Sequence, residues 1–408
     1  MGTNPELSAF DFFPATREAA LERLHAFTPQ MAEIYKAERN TDHGPENRSN
    51  ISCLSPFHSH RLLMERETIE QVLDKHSMAD AEAFIDEVYW RTYFKGWMEH
   101  HPAVWAQTKA KVKAEITGLQ DAQKDAYHQA CAGETGIECF DAWAKELVET
   151  GYLHNHARMW FASIWIFTLK LDWALGADFF LRNLLDGDAA SNTLSWRWVA
   201  GLHTKGKTYA ANAANIAEFT SGRFNPEGRL EENPVALVDD WNDNMVALPA
   251  PAEVDFEATT LLLLHEDDLG FDSMPILDDI PLVGVGGVTI TDGRSPYGAS
   301  ERVKQFTIEA VEDALNRADD RMSCPAVKLA SPEGLADHAA EIGATQVVYP
   351  YAPIGPVRDR IDAAAEGWRA AGLKVKPILR DSDREAWAHC AGSFAGLKKN
   401  IPELLGQS

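Results

Sequence analysis

TGYLHNHARMWFASIWIFTLKLDWALGADFFLRNLLDGDAASNTLSWRW, residues 150–198, sets Asn155, Arg158, Asp186, Asp188 and Asn192 into an apolar, aromatic-rich stretch of helical character. Polar groups in such surroundings are costly unless something completes their hydrogen bonds. A buried polar ligand that also carries a large flat ring would satisfy both the polar groups and the aromatics. Nine of the twelve tryptophans lie between Trp90 and Trp198, a concentration beyond what ordinary core packing needs.

Outward from this block, residues 15 to about 222 carry apolar residues at three-to-four spacing in REAALERLHAF, ETIEQVLDKH, DAEAFIDEVYWRTYFKGWMEHH and FDAWAKELVET, with no alternating strand pattern. The spacing predicts a helical domain over residues 1–225. Residues 226–256 are acidic and contain prolines, and they read as a linker or surface crossover. From 257 to 380 the pattern turns to strands alternating with helices: TTLLLLH, LVGVGGVTI, AVKLA, TQVVYPY and KVKPIL as strands, with ASERVKQFTIEAVEDALNRA, GLADHAAEIG and VRDRIDAAAEGWRAAG as helices. This alternation predicts a Rossmann-like, doubly wound parallel sheet. VGVGG opens no helix, so it reads as part of a strand and not as a dinucleotide fingerprint. Residues 381–408 form a closing helical tail. The fold class is therefore multidomain, α followed by α/β.

The chain has 408 residues, 45% of them hydrophobic, enough for two ordinary domains. MGTNPELSAFDFFP lacks a basic region followed by an apolar one, and the greasy run from Met159 to Leu171 is too short to span a bilayer, so a soluble cytoplasmic protein is expected, without membrane contact. Five cysteines form no CxxC pair, which argues against a zinc ribbon; they read as reduced and structural, and no metal site is expected. The formal net charge is −24, with acids in excess in both halves. Duplex DNA is bound largely through Lys and Arg neutralising phosphates, so this balance argues against a DNA partner unless the cations are gathered in one patch.

The decisive block resembles the flavin-binding core of the photolyase/cryptochrome family, whose pattern runs from TGW-hHN-x-x-RM through a helix ending in DW to DGD-x-x-x-N and W-x-W. The matching residues are Thr150, Gly151, Tyr152, His154, Asn155, Arg158, Met159, Asp172, Trp173, Asp186, Gly187, Asp188, Asn192, Trp196 and Trp198. The resemblance continues upstream. Tyr35, Arg39 and Asn40 match a Tyr-x-x-x-Arg-Asp/Asn signature, and Ser52, Leu54 and Ser55 match a TSRLSP-like phosphate motif in which Ile51 and Cys53 replace the usual Thr and Arg. Phe84 to Arg91 resembles NELxWREFY. The second domain resembles the family's antenna domain, which ordinarily comes first, so the order is expected to be permuted. Glu266 and Asp267 stand where Arg residues are expected around the first turn, which argues against an antenna chromophore.

What the resemblance implies is an FAD cofactor held by Tyr35, Ser52, Leu54, Ser55, Arg91, Asn155, Arg158, Asp186, Asp188 and Asn192, with Arg158 and Asp186 paired over the ring and Asn155 facing its reactive nitrogen. Glu87, Trp90, Asn155, Met159 and Trp198 match the residues that receive and process the lesion, and Arg39 a substrate contact. Glu87 and Arg91, one turn apart, are expected to look into one cavity. Trp196 and Trp173 match the first two members of an electron-transfer chain. The third position carries Leu119, so either Trp105, Trp143 or Trp165 substitutes for it or the chain is broken there. After Trp198 only RFNP of the expected YFRxFNP turn survives, so the rim of the pocket is rebuilt. His154-Asn155-His156 also mimics an HNH nuclease label, without the metal-binding context that label requires.

Two functions follow from the resemblance. The first is repair of pyrimidine dimers in damaged DNA, driven by blue light through reduced FAD, a lyase activity. The alternative is a cryptochrome-like photoreceptor acting through a protein partner. A flavin-binding relic with a structural role is the bland third.

Overall fold

The computed structural model describes residues 12–242 and 244–406. Met1 to Asp11, and with them most of the stretch read for a leader, lie outside the described residues. Twelve α-helices come first: α1 (Arg17–Phe27), α2 (Glu33–Glu38), α3 (Ser55–Ser59), α4 (Glu65–Leu73), α5 (Met78–His100), α6 (Ala103–Gly118), α7 (Asp121–Ala132), α8 (Glu138–Thr150), α9 (Asn155–Ser163), α10 (Trp173–Asn183), α11 (Ala189–Val199) and α12 (Ala213–Phe219). The long α5 is capped by Ser77, whose hydroxyl accepts from the Asp80 N–H, and α10 and α11 by Asp172 and Asp188. Each cap satisfies an N–H left unpaired by the first helical turn.

The block 150–198 departs from its expected reading in one place. Where one helix was expected to run into Asp172-Trp173, α9 ends at Ser163 and continues as a single π-helical turn over Ile164–Thr168. Lys170 then takes a positive φ of 57°, and Asp172 starts a new helix instead of closing an old one. A π turn holds its N–H bonds one residue further back, which re-aims the following backbone. The break lets Gly176 of α10 receive the Trp196 ring, whose Cη2 lies 2.2 Å from where a Cβ would stand.

The described residues of 226–256 form no helix or strand and run over the helical part, fixed by Leu237 N–H to Ala200 O, Val246 N–H to His100 O and an Arg197–Asp239 ion pair of 2.6 Å. Then come β1 (Thr260–His265), β2 (Leu282–Val288), α13 (Glu301–Met322), β3 (Ala326–Lys328), α14 (Leu335–Glu341), β4 (Gln346–Pro350), α15 (Pro356–Ala370) and β5 (Lys374–Ile378). The strands form one parallel sheet in the order β3-β2-β1-β4-β5, with Leu263 opposite Gly286 and Leu261 opposite Val347. Both faces of a parallel sheet are covered, which explains the unbroken Leu run of β1. VGVGG is strand, and α13 packs so close that a Cβ on Gly287 would meet Leu315 and Val311.

One apolar core joins the two parts: Phe57, Leu62 and Leu63 pack with Leu262, Leu264, Val303 and Phe306. A buried polar network crosses the same boundary. Arg61 reaches Asp268 (3.1 Å) and Asp383 (2.6 Å), and Arg380 closes on Asp268 at 2.6 and 2.8 Å. Burial alone would raise the Asp268 carboxyl, yet the two guanidiniums hold it below the usual carboxylate range. In doubly wound sheets ligands bind beyond the carboxyl ends of the strands, where the strand order reverses. Here Lys95, Asp188, Glu266, Asp267 and Arg294 line a space of about 20 Å³ at that place, room for about one water.

The tail forms α16 (Asp381–Trp387), α17 (Phe394–Lys398) and α18 (Ile401–Leu404) and packs on α5. Gly96 permits the approach, since a Cβ there would lie 2.6 Å from the Trp387 ring and 2.9 Å from Cys390 Sγ. Among the described residues no helix is long and apolar enough to cross a membrane, no cluster of His, Cys, Asp and Glu is arranged to hold a metal, and the five cysteines are free.

Candidate cofactor cavity

α5, α9 and α11, with the loop before α3, enclose a cavity of about 730 Å³. Its wall brings together, from five distant stretches of chain, Tyr35, Arg39, Ser52, Leu54, Ser55, Glu87, Trp90, Arg91, Asn155, Arg158, Met159, Asp186, Asp188, Asn192, Trp196 and Trp198. Among the site residues expected from the sequence, Trp173 alone stays outside the wall; it is buried in the same apolar cluster as Trp196.

Asp186 is the electrostatic centre. Arg158 holds it through two hydrogen bonds of 3.1 and 2.9 Å, and the Ser55 hydroxyl donates to it at 2.5 Å. Burial would raise this carboxyl, but Arg158 and Arg91 outweigh it and keep it ionised below the usual range. A bidentate guanidinium–carboxylate pair fixes geometry as well as charge. Arg91 donates to Asp188 at 2.6 Å, and Asp188 also caps α11 through the Ser191 N–H. Asn192 donates to the Ala177 carbonyl at 2.7 Å. His154 caps α9, and burial pushes its imidazole down to about 4.

Glu87 and Arg91 both line the cavity, but they do not pair with each other. Glu87 instead accepts from Arg39 at 2.5 Å, because Asp188 has already engaged Arg91. Arg39 therefore sits on the carboxylate expected to meet the lesion. Trp90 meets Phe394 of the tail in a flat stack. Trp198 is 36% exposed and leans on Tyr209 at 5.7 Å.

Two cavity residues had no signal in the sequence. His203, from the rebuilt stretch after Trp198, lies among Tyr93, Phe94 and Trp97, and burial pushes it down to about 4. Phe394 arrives from the tail. Neither belongs to a periodic pattern or a motif, so tertiary contact alone reveals them.

The cavity suits a dinucleotide carrying a flat ring. Ligand cavities run to roughly 300–1,000 Å³ and combine apolar walls with a few convergent polar groups. Three guanidiniums, each paired with a carboxylate (Arg39 with Glu87, Arg91 with Asp188, Arg158 with Asp186), and the serines Ser52 and Ser55 supply the polar part of its wall. Asn155 is exposed although it sits in the cavity wall, so its amide is turned to whatever the cavity holds. The Trp196 indole N–H is buried with no hydrogen-bond partner.

Sequence comparison with known proteins points the same way. Residues 84–261 match the FAD binding domain of DNA photolyase. The chain is 32% identical over 211 residues to the deoxyribodipyrimidine photo-lyase of Salmonella typhimurium, covering 49% of this chain and 43% of the relative. It is 26% identical over 251 residues to the cryptochrome DASH of Idiomarina loihiensis, covering 58% and 54%. Among solved structures, a class III photolyase from Agrobacterium tumefaciens is similar at 24% identity with a TM-score of 0.42, covering 54% of this chain and 46% of that one. The match spans about half the length of these relatives.

Proposed function

We propose that this chain, which belongs to the photolyase/cryptochrome family of flavoproteins, splits pyrimidine dimers in DNA under blue light. FAD, bound and reduced, supplies an electron on illumination and recovers it once the dimer has opened. The observation that carries the reading is the convergence on one cavity of the Arg158–Asp186 pair, Asn155, Glu87, Trp90, Met159 and Trp198. In this reading Arg158 and Asp186 hold the polar edge of the ring, and Asn155 offers it a neutral amide. Arg91, Ser52 and Ser55 take the phosphates and neighbouring polar atoms. Glu87 receives a hydrogen bond from the lesion once Arg39 turns away, for which a phosphate of the incoming strand is a competing partner. Trp90, Met159 and Trp198 line the opening and keep water from the dimer. The α/β part is proposed as the displaced counterpart of the family's antenna domain.

Phe394 on Trp90, together with the net charge of −24, favours a second reading. In it the tail responds to the state of the flavin, a protein partner reads the response, and no DNA is repaired. The test is a dimer-containing oligonucleotide incubated with the reduced, FAD-loaded protein, comparing wild type with Glu87→Gln. Repair by the wild type that falls in the variant supports the first reading. Tail release by light without loss of dimers supports the second.

A further inference from the structure

Leu184 to Asp188 join α10 to α11 and form neither helix nor strand. This loop carries both carboxylates that hold guanidiniums of the cavity wall, Asp186 for Arg158 and Asp188 for Arg91. A helix leaves its last carbonyls without partners of its own, and three carbonyls at the end of α10 are reached from the α/β part. Arg294, in the turn between β2 and α13, donates to Leu184 O at 3.0 Å and to Leu181 O at 3.5 Å, and the Ser300 N–H donates to Arg182 O at 2.8 Å. The same guanidinium lies against Gly187, where a Cβ would stand 3.1 Å from Arg294 Nη1.

We propose that Arg294 is a positioning residue for the flavin ring, acting through this loop, and that cofactor binding therefore draws on the α/β part. This rests on the flavin reading of the cavity but not on repair. Arg294 lines the small space at the end of the sheet and not the cavity, so it acts on the ring only through the loop. The helical part holds the same loop by other atoms. Ser59 donates to Asp186 O at 3.1 Å, the Leu185 N–H donates to Gly151 O at 2.9 Å, and the His60 ring lies between Leu185 O (3.1 Å) and Glu266 O at the end of β1 (2.7 Å).

Arg294 adds a charge that those contacts lack. It is 6% exposed, and burial works against its ionisation, but Glu266, Asp267, Asp186 and Asp188 all work to keep it charged. The two carboxylates of the loop thus answer to Arg158 and Arg91 in the cavity wall and to Arg294 outside it. A bidentate pair such as Arg158–Asp186 has its value in geometry, which is lost when the backbone carrying it shifts. Coupling of this kind is reciprocal, so a ligand that orders the loop also orders the turn bearing Arg294. Asp268 offers the contrast: it joins the same two parts, but its carboxylate bonds Arg61 and Arg380 instead of the loop.

The experiment is titration of wild type, Arg294→Gln and Asp268→Asn with FAD, with the urea midpoint and the visible circular dichroism of the bound flavin measured for each. Arg294→Gln should weaken FAD binding by roughly ten- to a hundredfold, the worth of a hydrogen bond from a charged donor, and alter the dichroism, which reports the setting of the ring. Asp268→Asn should lower the urea midpoint at least as far, with FAD affinity and dichroism unchanged. In the wild type, added FAD should slow hydrogen exchange at the Gly187 and Gly293 amides together, a readout that needs no variant. If Arg294→Gln keeps the wild-type affinity or dichroism, if Asp268→Asn weakens binding as much, or if FAD protects Gly187 and leaves Gly293 unchanged, the assignment is overturned and the flavin reading stands. A wild type that takes up no FAD overturns both.

Discussion

Phe394 lies flat against Trp90, with ring centroids 3.9 Å apart and planes 12° from parallel. The stack joins the last part of the chain to the middle of α5, and Lys398 reinforces it with ion pairs to Asp86 (2.5 Å) and Glu82 (3.0 Å). An aromatic pair of this kind contributes about 0.5–1.5 kcal/mol beyond the area it buries. Whatever stacks on that face of Trp90 must first displace the tail.

Phe394→Ala should therefore strengthen binding of a dimer-containing oligonucleotide by roughly two- to tenfold, the stack's own worth of about 0.5–1.5 kcal/mol. Fluorescence titration checks it. An unchanged or weaker affinity would mean that the tail leaves Trp90 free for the lesion, or helps to build its pocket.

Trp90→Ala removes the platform itself. A base stacked on an aromatic ring is worth about 1–3 kcal/mol, so lesion affinity should fall by roughly one to two orders of magnitude. Flavin content should not change, because the proposed contacts to the ring come from the Arg158–Asp186 pair and Asn155 and not from Trp90. Equal binding by variant and wild type would remove Trp90 from the substrate site.

Asp186→Ala should leave Arg158 without its carboxylate. Breaking a buried pair by removing one partner costs about 3–5 kcal/mol; because Arg158 is about one-quarter exposed, the lower end, about 3 kcal/mol, is expected. The ratio of flavin to protein after gel filtration should drop, and the urea midpoint should fall. Full retention of FAD would place the ring elsewhere.

Glu266, at the carboxyl end of β1, carries a stability signature in pH. Burial pushes its carboxyl up to about 7. In the unfolded chain it ionises near ~4.3. Between the two values the unfolded state releases a proton that the folded state keeps, so stability declines as pH rises, and the loss stops above about 7. Relative to Glu266→Gln, the wild type should lose roughly 4 kcal/mol across this window at ~1.4 kcal/mol per unit. Urea unfolding of both proteins at several pH values checks it. A gap that does not vary with pH would show that Glu266 is ionised when buried.

The sequence made the elements legible because their periods are local. The apolar spacing of α13 and the Leu run of β1 follow from neighbours a few residues apart, and the bidentate pair of Arg158 with Asp186 lay within one motif. What stayed hidden depends on distant contacts. Glu87 found Arg39 because Asp188 had taken Arg91, and no pattern in the sequence ranks those competing ion pairs. Phe394 and Arg294 meet Trp90 and Leu184 across long stretches of chain, and neither lies in a periodic run. The π turn before Asp172 was hidden for another reason: an apolar stretch that is buried all round gives the same pattern for a continuous helix and a broken one.

The most direct test of the central claim is the number of pyrimidine dimers left in an irradiated oligonucleotide after incubation with the reduced, FAD-loaded protein, in blue light and in the dark at low salt. The account predicts loss of dimers in the light alone, sharply reduced by Trp90→Ala at unchanged flavin content. Equal dimer counts in light and dark, with the flavin shown to be bound and reduced, would contradict it.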